Sequence, residues 1–335
     1  MRAVVWAGGG RLELVDRPVP KVRPGWVLVR AGVVGICGTD LHRYRGVVPP
    51  TVGLIPGHEI GGEVVAADGG GPRVGTTVAV EPLVACQACL QCRSGHDNRC
   101  RRRTLLGVTG DGGLSEYVLV PQGRVYPLPA GMTVGDGALV EPLAVGVRAA
   151  RQAGVSLGDT VAVLGAGTIG LVSVIAARAA GAARVVVVGR YPQQRERAVA
   201  LGADACVEAA SQAAAVLGEG ADVVVETVGG RAATLAEAVE LVRPGGVIGM
   251  LGVFDGDARL PGLALSRKEA RLVASNCYGR LGAHRDFEVA VGLLGRHLEQ
   301  VRSIVTHRFA LDQVQQAFAV AADRAAGSIK VLLLP

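Results

Sequence analysis

Four cysteines, Cys86, Cys89, Cys92 and Cys100, follow a C-x2-C-x2-C-x7-C pattern. Thiolates at this spacing can close around one tetrahedral metal ion, which forces the loop between them into a fixed shape. Four sulfur ligands leave no open position, so this centre reads as a structural zinc. A second set differs in kind. Cys37 is followed further along the chain by Gly57-His58-Glu59. A thiolate, an imidazole and a carboxylate can hold zinc and still leave one position for a substrate. Two Zn²⁺ ions per chain are expected, one structural and one catalytic.

The bulk numbers narrow the class. The chain has 335 residues and a formal charge of +6, and half its residues are apolar. That length suggests two domains with well-filled cores. Much of the positive charge sits at Arg99, Arg101, Arg102 and Arg103 beside the cysteine cluster, which reads as a solvated loop face. A nucleic-acid partner would need a broader basic stripe with stacking aromatics, and aromatics are only 3% of the chain. Met1 to Val5 lead straight into a strand-like run, with no secretory leader expected. Arg178 and Arg184 interrupt the most hydrophobic region, so no membrane span is expected. Seven cysteines, four at metal spacing, fit a reducing cytoplasm better than a disulfide framework.

Two textures divide the chain. Up to about residue 145, short strands alternate with Gly and Pro, as at Val27–Val34, Gly62–Ala67, Thr77–Val80 and Glu116–Val120, the spacing of an antiparallel, barrel-like region. From about Leu157 the order becomes strand, glycine turn, alanine-rich helix, repeated. Strands are expected at Thr160–Leu164, Arg184–Val188, Asp222–Glu226 and Val247–Leu251. Helices are expected at Ile169–Ala180, Gln193–Leu201, Ala232–Leu241 and Phe287–His297. Such alternation means a parallel sheet with ligands at the carboxyl ends of its strands. The close, Ile329–Leu334, reads as a strand returning to the first domain. Cys206 reads as a structural residue in a helix-to-strand connection.

Gly165-Ala166-Gly167-Thr168-Ile169-Gly170 is a G-x-G-x-x-G string. It follows a buried-type strand and opens a helix, the context in which it binds a dinucleotide. Its glycines allow a tight turn and close approach to a pyrophosphate, and the helix start supplies N–H groups and a positive dipole. An NAD site ordinarily ends the next strand with an acid that accepts from the ribose hydroxyls. Here Val188 is followed by Gly189-Arg190. An arginine attracts a 2′-phosphate that an acid would repel. NADP(H) is therefore expected over NAD(H), with Arg190 as the first contact and Arg195 as the second.

For the catalytic metal, Cys37 and His58 supply two ligands. Glu141, in Leu139-Val140-Glu141-Pro142-Leu143 at the junction of the two halves, is preferred as the third. Glu59 is placed just behind, able to exchange onto the metal.

Several motifs in this order resemble the zinc-dependent medium-chain alcohol dehydrogenases, in the branch of threonine, sorbitol and other polyol dehydrogenases. The carriers are Cys37-Gly38-Thr39-Asp40-Leu41-His42, Gly57-His58-Glu59-Ile60-Gly61-Gly62, the four-cysteine lobe, Glu141-Pro142-Leu143, the dinucleotide fingerprint, Arg243-Pro244-Gly245-Gly246 and Gly327-Ser328-Ile329-Lys330-Val331. The resemblance spans nearly the whole chain. It implies an α/β protein with a GroES-like, β-rich, zinc-binding catalytic domain at 1–147 and 281–335, and a Rossmann domain at 148–280. It also implies that Glu141 replaces the second cysteine ligand of other alcohol dehydrogenases. Two departures stand out. Gly189 lies where NAD-dependent members carry an acid, and Arg148 where many relatives have histidine.

The chemistry expected is hydride transfer between a secondary alcohol and its ketone. The nicotinamide carries the hydride and zinc acts as Lewis acid on the substrate oxygen. Thr39 would take the alcohol proton and His42 would carry it outward, as similar family members do. Asp40 would orient His58 through its free ring N–H. Thr227, Leu251, Gly252 and Val253 are expected to line the cofactor. Ser275 and Asn276 would flank the carboxamide, and Lys330 would reach the pyrophosphate as a basic residue does in relatives. Tyr44, Tyr278 and Arg280 hint at a polar substrate: a polyol, a sugar or cyclitol, or an amino alcohol. Relatives suggest a homodimer or homotetramer. Two rival readings are a zinc-free quinone or enoyl reductase on the same plan, which the cysteines oppose, and a zinc-knuckle nucleic-acid binder, which the dinucleotide fold opposes.

Overall fold

The computed structural model describes all residues, 1–335. It forms two compact units, one of residues 1–141, 290–298 and 305–335, the other of 142–289 and 299–304. The units divide close to the expected 147/148 and 280/281. The Val134–Ala153 helix carries Arg148 and Arg151, and both donate to buried Asp286. Asp286 also accepts the Gly279 N–H at 2.8 Å. These bonds tie Asp286 and the 281–289 segment to Arg148 and Arg151 of the second unit, while 142–147 continue the same helix.

The first unit is built on a seven-stranded sheet. Its order is Val305–Ala310, Lys330–Leu334, Trp26–Gly35, Glu59–Ala67, Thr77–Val80 and Val125–Pro127, with Tyr117–Pro121 also pairing to Trp26–Gly35. Every pair is antiparallel except the first. β-branched residues favour such pleated surfaces, and the core is their inward face: Val27, Val29, Val34, Ile60, Val78 and Val118. Trp6 meets Phe318 edge to face at 5.8 Å. The last strand does return here, pairing Leu332 with Gly35 and Leu333 with Val34.

The second unit holds a six-stranded parallel sheet in the order Ala205–Val207, Arg184–Val188, Thr160–Leu164, Ala221–Glu226, Val242–Met250, Arg271–Ala274. The crossovers include the helices Thr168–Ala180, Pro192–Ala200, Ala210–Leu217 and Thr234–Leu241. Strand order reverses between Thr160–Leu164 and Ala221–Glu226, the position where open α/β sheets bind ligands. Cys206 is inside the short Ala205–Val207 strand rather than in a connection. No helix is long and apolar enough to cross a membrane.

Candidate active site

Cys37 caps the start of the Gly38–Tyr44 helix, immediately after the Trp26–Gly35 strand and Ile36. Its N–H donates to Asp40 Oδ2 at 3.0 Å, which fixes the first turn. Thr39 and His42, both half-buried, are three apart on this helix and share a face. His58 enters just before the Glu59–Ala67 strand. The glycine before it, Gly57, has φ +90°, and a Cβ there would lie 2.7 Å from Val34 Cγ1, so only glycine turns the chain this way. Glu141 projects from the Val134–Ala153 helix and is buried.

These groups share one apolar neighbourhood. Burial pushes the Cys37 thiol up to about 12, with the Glu59 and Asp40 charges adding and Lys330 opposing. Burial likewise pushes Glu141 up to about 8, against His58 and with Glu59 and Cys37. Asp40 is raised by burial despite His58. His58 Nδ1 and Asp40 Oδ1 face each other at 3.8 Å, and both are buried without a hydrogen-bond partner. Buried polar atoms of this kind are costly unless a partner compensates them. The set of thiol, imidazole and carboxyl fits Zn²⁺, with Asp40 positioned to accept from the second ring nitrogen of His58.

Glu59 has a partner that the sequence did not suggest. Lys330 Nζ lies 2.7 and 2.6 Å from the two Glu59 oxygens and 3.0 Å from the Ile36 carbonyl. Both residues are 1% exposed. Lys330 is thus not a pyrophosphate ligand: a buried ammonium held by a carboxylate and a carbonyl has no free donor to extend. It is the counter-ion of Glu59, next to the candidate ligand His58. Gly35 must be glycine beside this pair, because a Cβ there would overlap Glu59 Oε2.

In the cysteine lobe, all four ligand sulfurs lie within 4.8 Å of one another. This is the one donor set drawn that tightly together. Cys89 and Cys92 approach to 3.5 Å. The backbone N–H groups of Ala88 and Cys89 hold the Cys86 thiol down to about 6, and Arg102 donates to its sulfur at 3.3 Å. Such a set fits a closed tetrathiolate zinc.

The cofactor candidates lie at carboxyl ends of the parallel strands. Gly165 has φ +100°, and a Cβ on it would sit 2.7 Å from Thr227 Oγ1. Gly167 caps the Thr168–Ala180 helix. A Cβ on Gly170 would overlap the Gly165 carbonyl, so helix and turn pack backbone to backbone. Thr168 and Ile169 are half-buried at the helix start. Thr227, Leu251, Gly252 and Val253 follow two adjacent strands, and Ser275 and Asn276 follow the edge strand. Gly189 ends the Arg184–Val188 strand. Arg190 is exposed there. Arg195 instead folds back, donating to the carbonyls of Gly189 at 3.1 Å and Arg190 at 2.8 Å. It shapes the turn that presents Arg190.

The three residues suggested for substrate polarity are placed otherwise. Tyr278 is buried against Phe287 at 5.3 Å, and Tyr44 packs on Phe318 at 5.5 Å. Arg280 binds the Ala283 carbonyl within its own hairpin. Aromatic area drew Tyr278 into a core and Tyr44 against the edge of one.

Residues 23–130 match the model of the alcohol dehydrogenase GroES-like domain, and 168–296 that of the zinc-binding dehydrogenase domain. The chain is 34% identical over 334 residues to a probable D-xylulose reductase A of Arthroderma otae, covering 94% of this chain and 92% of that one. It is 32% identical to the sorbitol dehydrogenase of Gallus gallus, covering 94% and 92%. A zinc-binding dehydrogenase from Sinorhizobium meliloti, crystallised bound to NADP, superposes with a TM-score of 0.91 at 31% identity. That match covers 100% of this chain and 99% of the other.

Proposed function

Since this chain belongs to the zinc-dependent medium-chain alcohol dehydrogenases, in their polyol dehydrogenase-like branch, and transfers hydride between an alcohol and its ketone with a nicotinamide cofactor, we propose that it acts on a polyhydroxylated secondary alcohol. We propose further that it prefers NADP(H) and holds two zinc ions. The observation that carries this reading is the donor set of half-buried Cys37 with buried His58 and Glu141, backed by Asp40 and the Glu59–Lys330 pair. Bound zinc supplies Lewis-acid polarisation of the substrate oxygen.

The chain's own residues do the rest. Cys37, His58 and Glu141 would hold the ion, and Asp40 would keep His58 in one tautomer. Lys330 neutralises Glu59, so the carboxylate does not compete for the ion. Thr39 takes the alcohol proton, and His42, on the same helix face, passes it outward. The substrate class follows from the sugar-alcohol relatives. The cofactor preference follows from exposed Arg190 after Gly189, together with the NADP carried by the similar S. meliloti structure. Soluble, cytoplasmic operation as a homodimer or homotetramer completes the proposal.

The test is a panel of linear and cyclic polyols with NADP⁺ and NAD⁺, followed by nicotinamide absorbance, beside metal analysis. Two zinc ions per chain and a higher kcat/KM with NADP⁺ are expected. Arg190→Ala should lower kcat/KM for NADP⁺ about tenfold to a hundredfold, the worth of a charge-assisted hydrogen bond, and leave NAD⁺ unchanged. Equal rates with both cofactors, or an unaffected Arg190→Ala, would discard the preference.

A further inference from the structure

Glu226 ends the Ala221–Glu226 strand at the point where strand order reverses, and it is completely buried. Its carboxylate is held almost wholly by backbone. Oε1 accepts from the N–H groups of Val228 at 2.8 Å and Gly229 at 2.9 Å and from Thr234 Oγ1 at 2.7 Å. Oε2 accepts from the Gly252 N–H at 3.2 Å. One oxygen therefore holds loop 227–230, and the other holds loop 251–255.

The two loops touch each other without side chains between them. Gly230 N–H donates to Val253 O at 2.7 Å, and Asp255 N–H to Gly230 O at 3.1 Å. A Cβ on Gly252 would overlap Glu226 Oε2, and one on Gly229 would meet Val253 backbone at 2.5 Å. Beyond this contact the loops leave Val228 and Val253 exposed at 47% and 64%. Val228 also borders the fingerprint turn: its Cγ2 is 2.8 Å from a Cβ built on Gly165. Thr227 Oγ1 donates to Leu164 O at 2.7 Å. Two exposed apolar side chains on one backbone platform, beside a pyrophosphate turn, form a surface for a flat ring.

We propose that Glu226 is a positioning residue that locks loops 227–230 and 251–255 into the one geometry that carries the nicotinamide dinucleotide. It rests on the reading that these loops face the cofactor. A carboxylate suits this task because one rigid group offers several acceptor sites to N–H groups from two loops. An amide of the same shape must turn a donor toward one of those N–H groups.

The experiment measures the Kd for NADPH by nicotinamide fluorescence in wild type, Glu226→Gln and Gly252→Ala, with Tm and zinc content. Glu226→Gln should weaken NADPH binding about tenfold or more and raise the cofactor KM, with zinc content and polyol KM unchanged. Gly252→Ala pushes a methyl into Glu226 Oε2 from the other loop and should weaken binding in the same way. It serves alone if Glu226→Gln does not fold. Wild-type Kd in a folded variant, even one with lowered Tm, would overturn the proposal, because a purely structural role moves Tm without moving Kd. A wild-type chain that binds no NADPH would instead sink the cofactor reading itself.

Discussion

At the residue scale, the Glu59–Lys330 pair shows where sequence reading stops. Cys37, His58 and Glu59 stand out in the sequence because metal chemistry favours those residue types close together. Lys330 does not, because its partner lies 271 positions away and the two meet only because both the last strand and Glu59–Ala67 pair with Trp26–Gly35. The apolar run around Lys330 says "strand" and nothing about its ammonium. Removing one member of a buried pair strands the other charge. Lys330→Met should cost about 3–5 kcal/mol, read by urea unfolding, and should lower zinc occupancy at the catalytic site while leaving the cysteine lobe filled. A second residue gives a pH signature. Burial raises Asp222, but the Thr160 N–H and the Arg243 guanidinium, each at 2.7 Å, outweigh it, and its pKa is lowered. A carboxylate held lower in the folded than in the unfolded chain stabilises above its ordinary value. That stabilisation is lost as pH falls through the folded value. Asp222→Asn should therefore lower Tm at neutral pH, by the equivalent of about 1 kcal/mol at this partly exposed site. The gap from wild type should close as pH drops below the ordinary carboxylate range. A gap that widens in acid would reverse the assignment.

At the scale of elements, continuous valine runs were readable to the residue: Thr160–Leu164 and Arg184–Val188 occupy the expected ranges. Edge and interrupted elements were not. Arg271–Ala274 is a parallel strand with mostly exposed side chains, so it lacks the apolar signature of its neighbours. The Val134–Ala153 helix contains Pro142 and several glycines, which weaken a helical pattern, so the sequence around Glu141 reads as a junction rather than a helix. The cysteine lobe was legible as a metal loop, but not its anchor. Arg124 donates one arm to Glu81 and the other to Asp97, and Tyr126 donates to Glu81 at 2.6 Å. Asp97 lies between Cys92 and Cys100, while Glu81 follows the Thr77–Val80 strand, so this buried triad fastens the lobe to the sheet. Arg124→Met leaves both carboxylates without that cation and should cost about 3–5 kcal/mol and speed zinc loss to a chromogenic chelator. Adding Asp97→Asn should recover part of the stability, since it removes one of the two stranded charges. No recovery in the double variant would mean that Arg124 acts by packing alone.

At the scale of the whole molecule, the chain divides its labour along its own fold. Every proposed metal donor, from Cys37 to Glu141, lies within residues 1–141, and Lys330, paired with Glu59, belongs to the same unit. The fingerprint, Gly189-Arg190, the Glu226 network and the loops it ties lie within 142–289, held by hydrogen bonds internal to that unit. The one tight cluster of metal-type ligands, Cys86 to Cys100, lies in the first unit. Removing zinc should therefore separate two properties that a single-core enzyme would lose together. After dialysis against a strong chelator, turnover of any polyol should vanish. The first unit should lose thermal stability, because the Cys86–Cys100 loop no longer closes. NADPH should still bind within about threefold of the native Kd, a free-energy change of about 0.65 kcal/mol, measured by nicotinamide fluorescence. Restoring one equivalent of zinc should recover stability before activity, because four thiolates bind zinc more tightly than a thiolate, an imidazole and a carboxylate that keep one position open. A stripped chain that no longer binds NADPH would show that the metal loop supports the cofactor loops, and the two units would then have to be treated as one cooperative body.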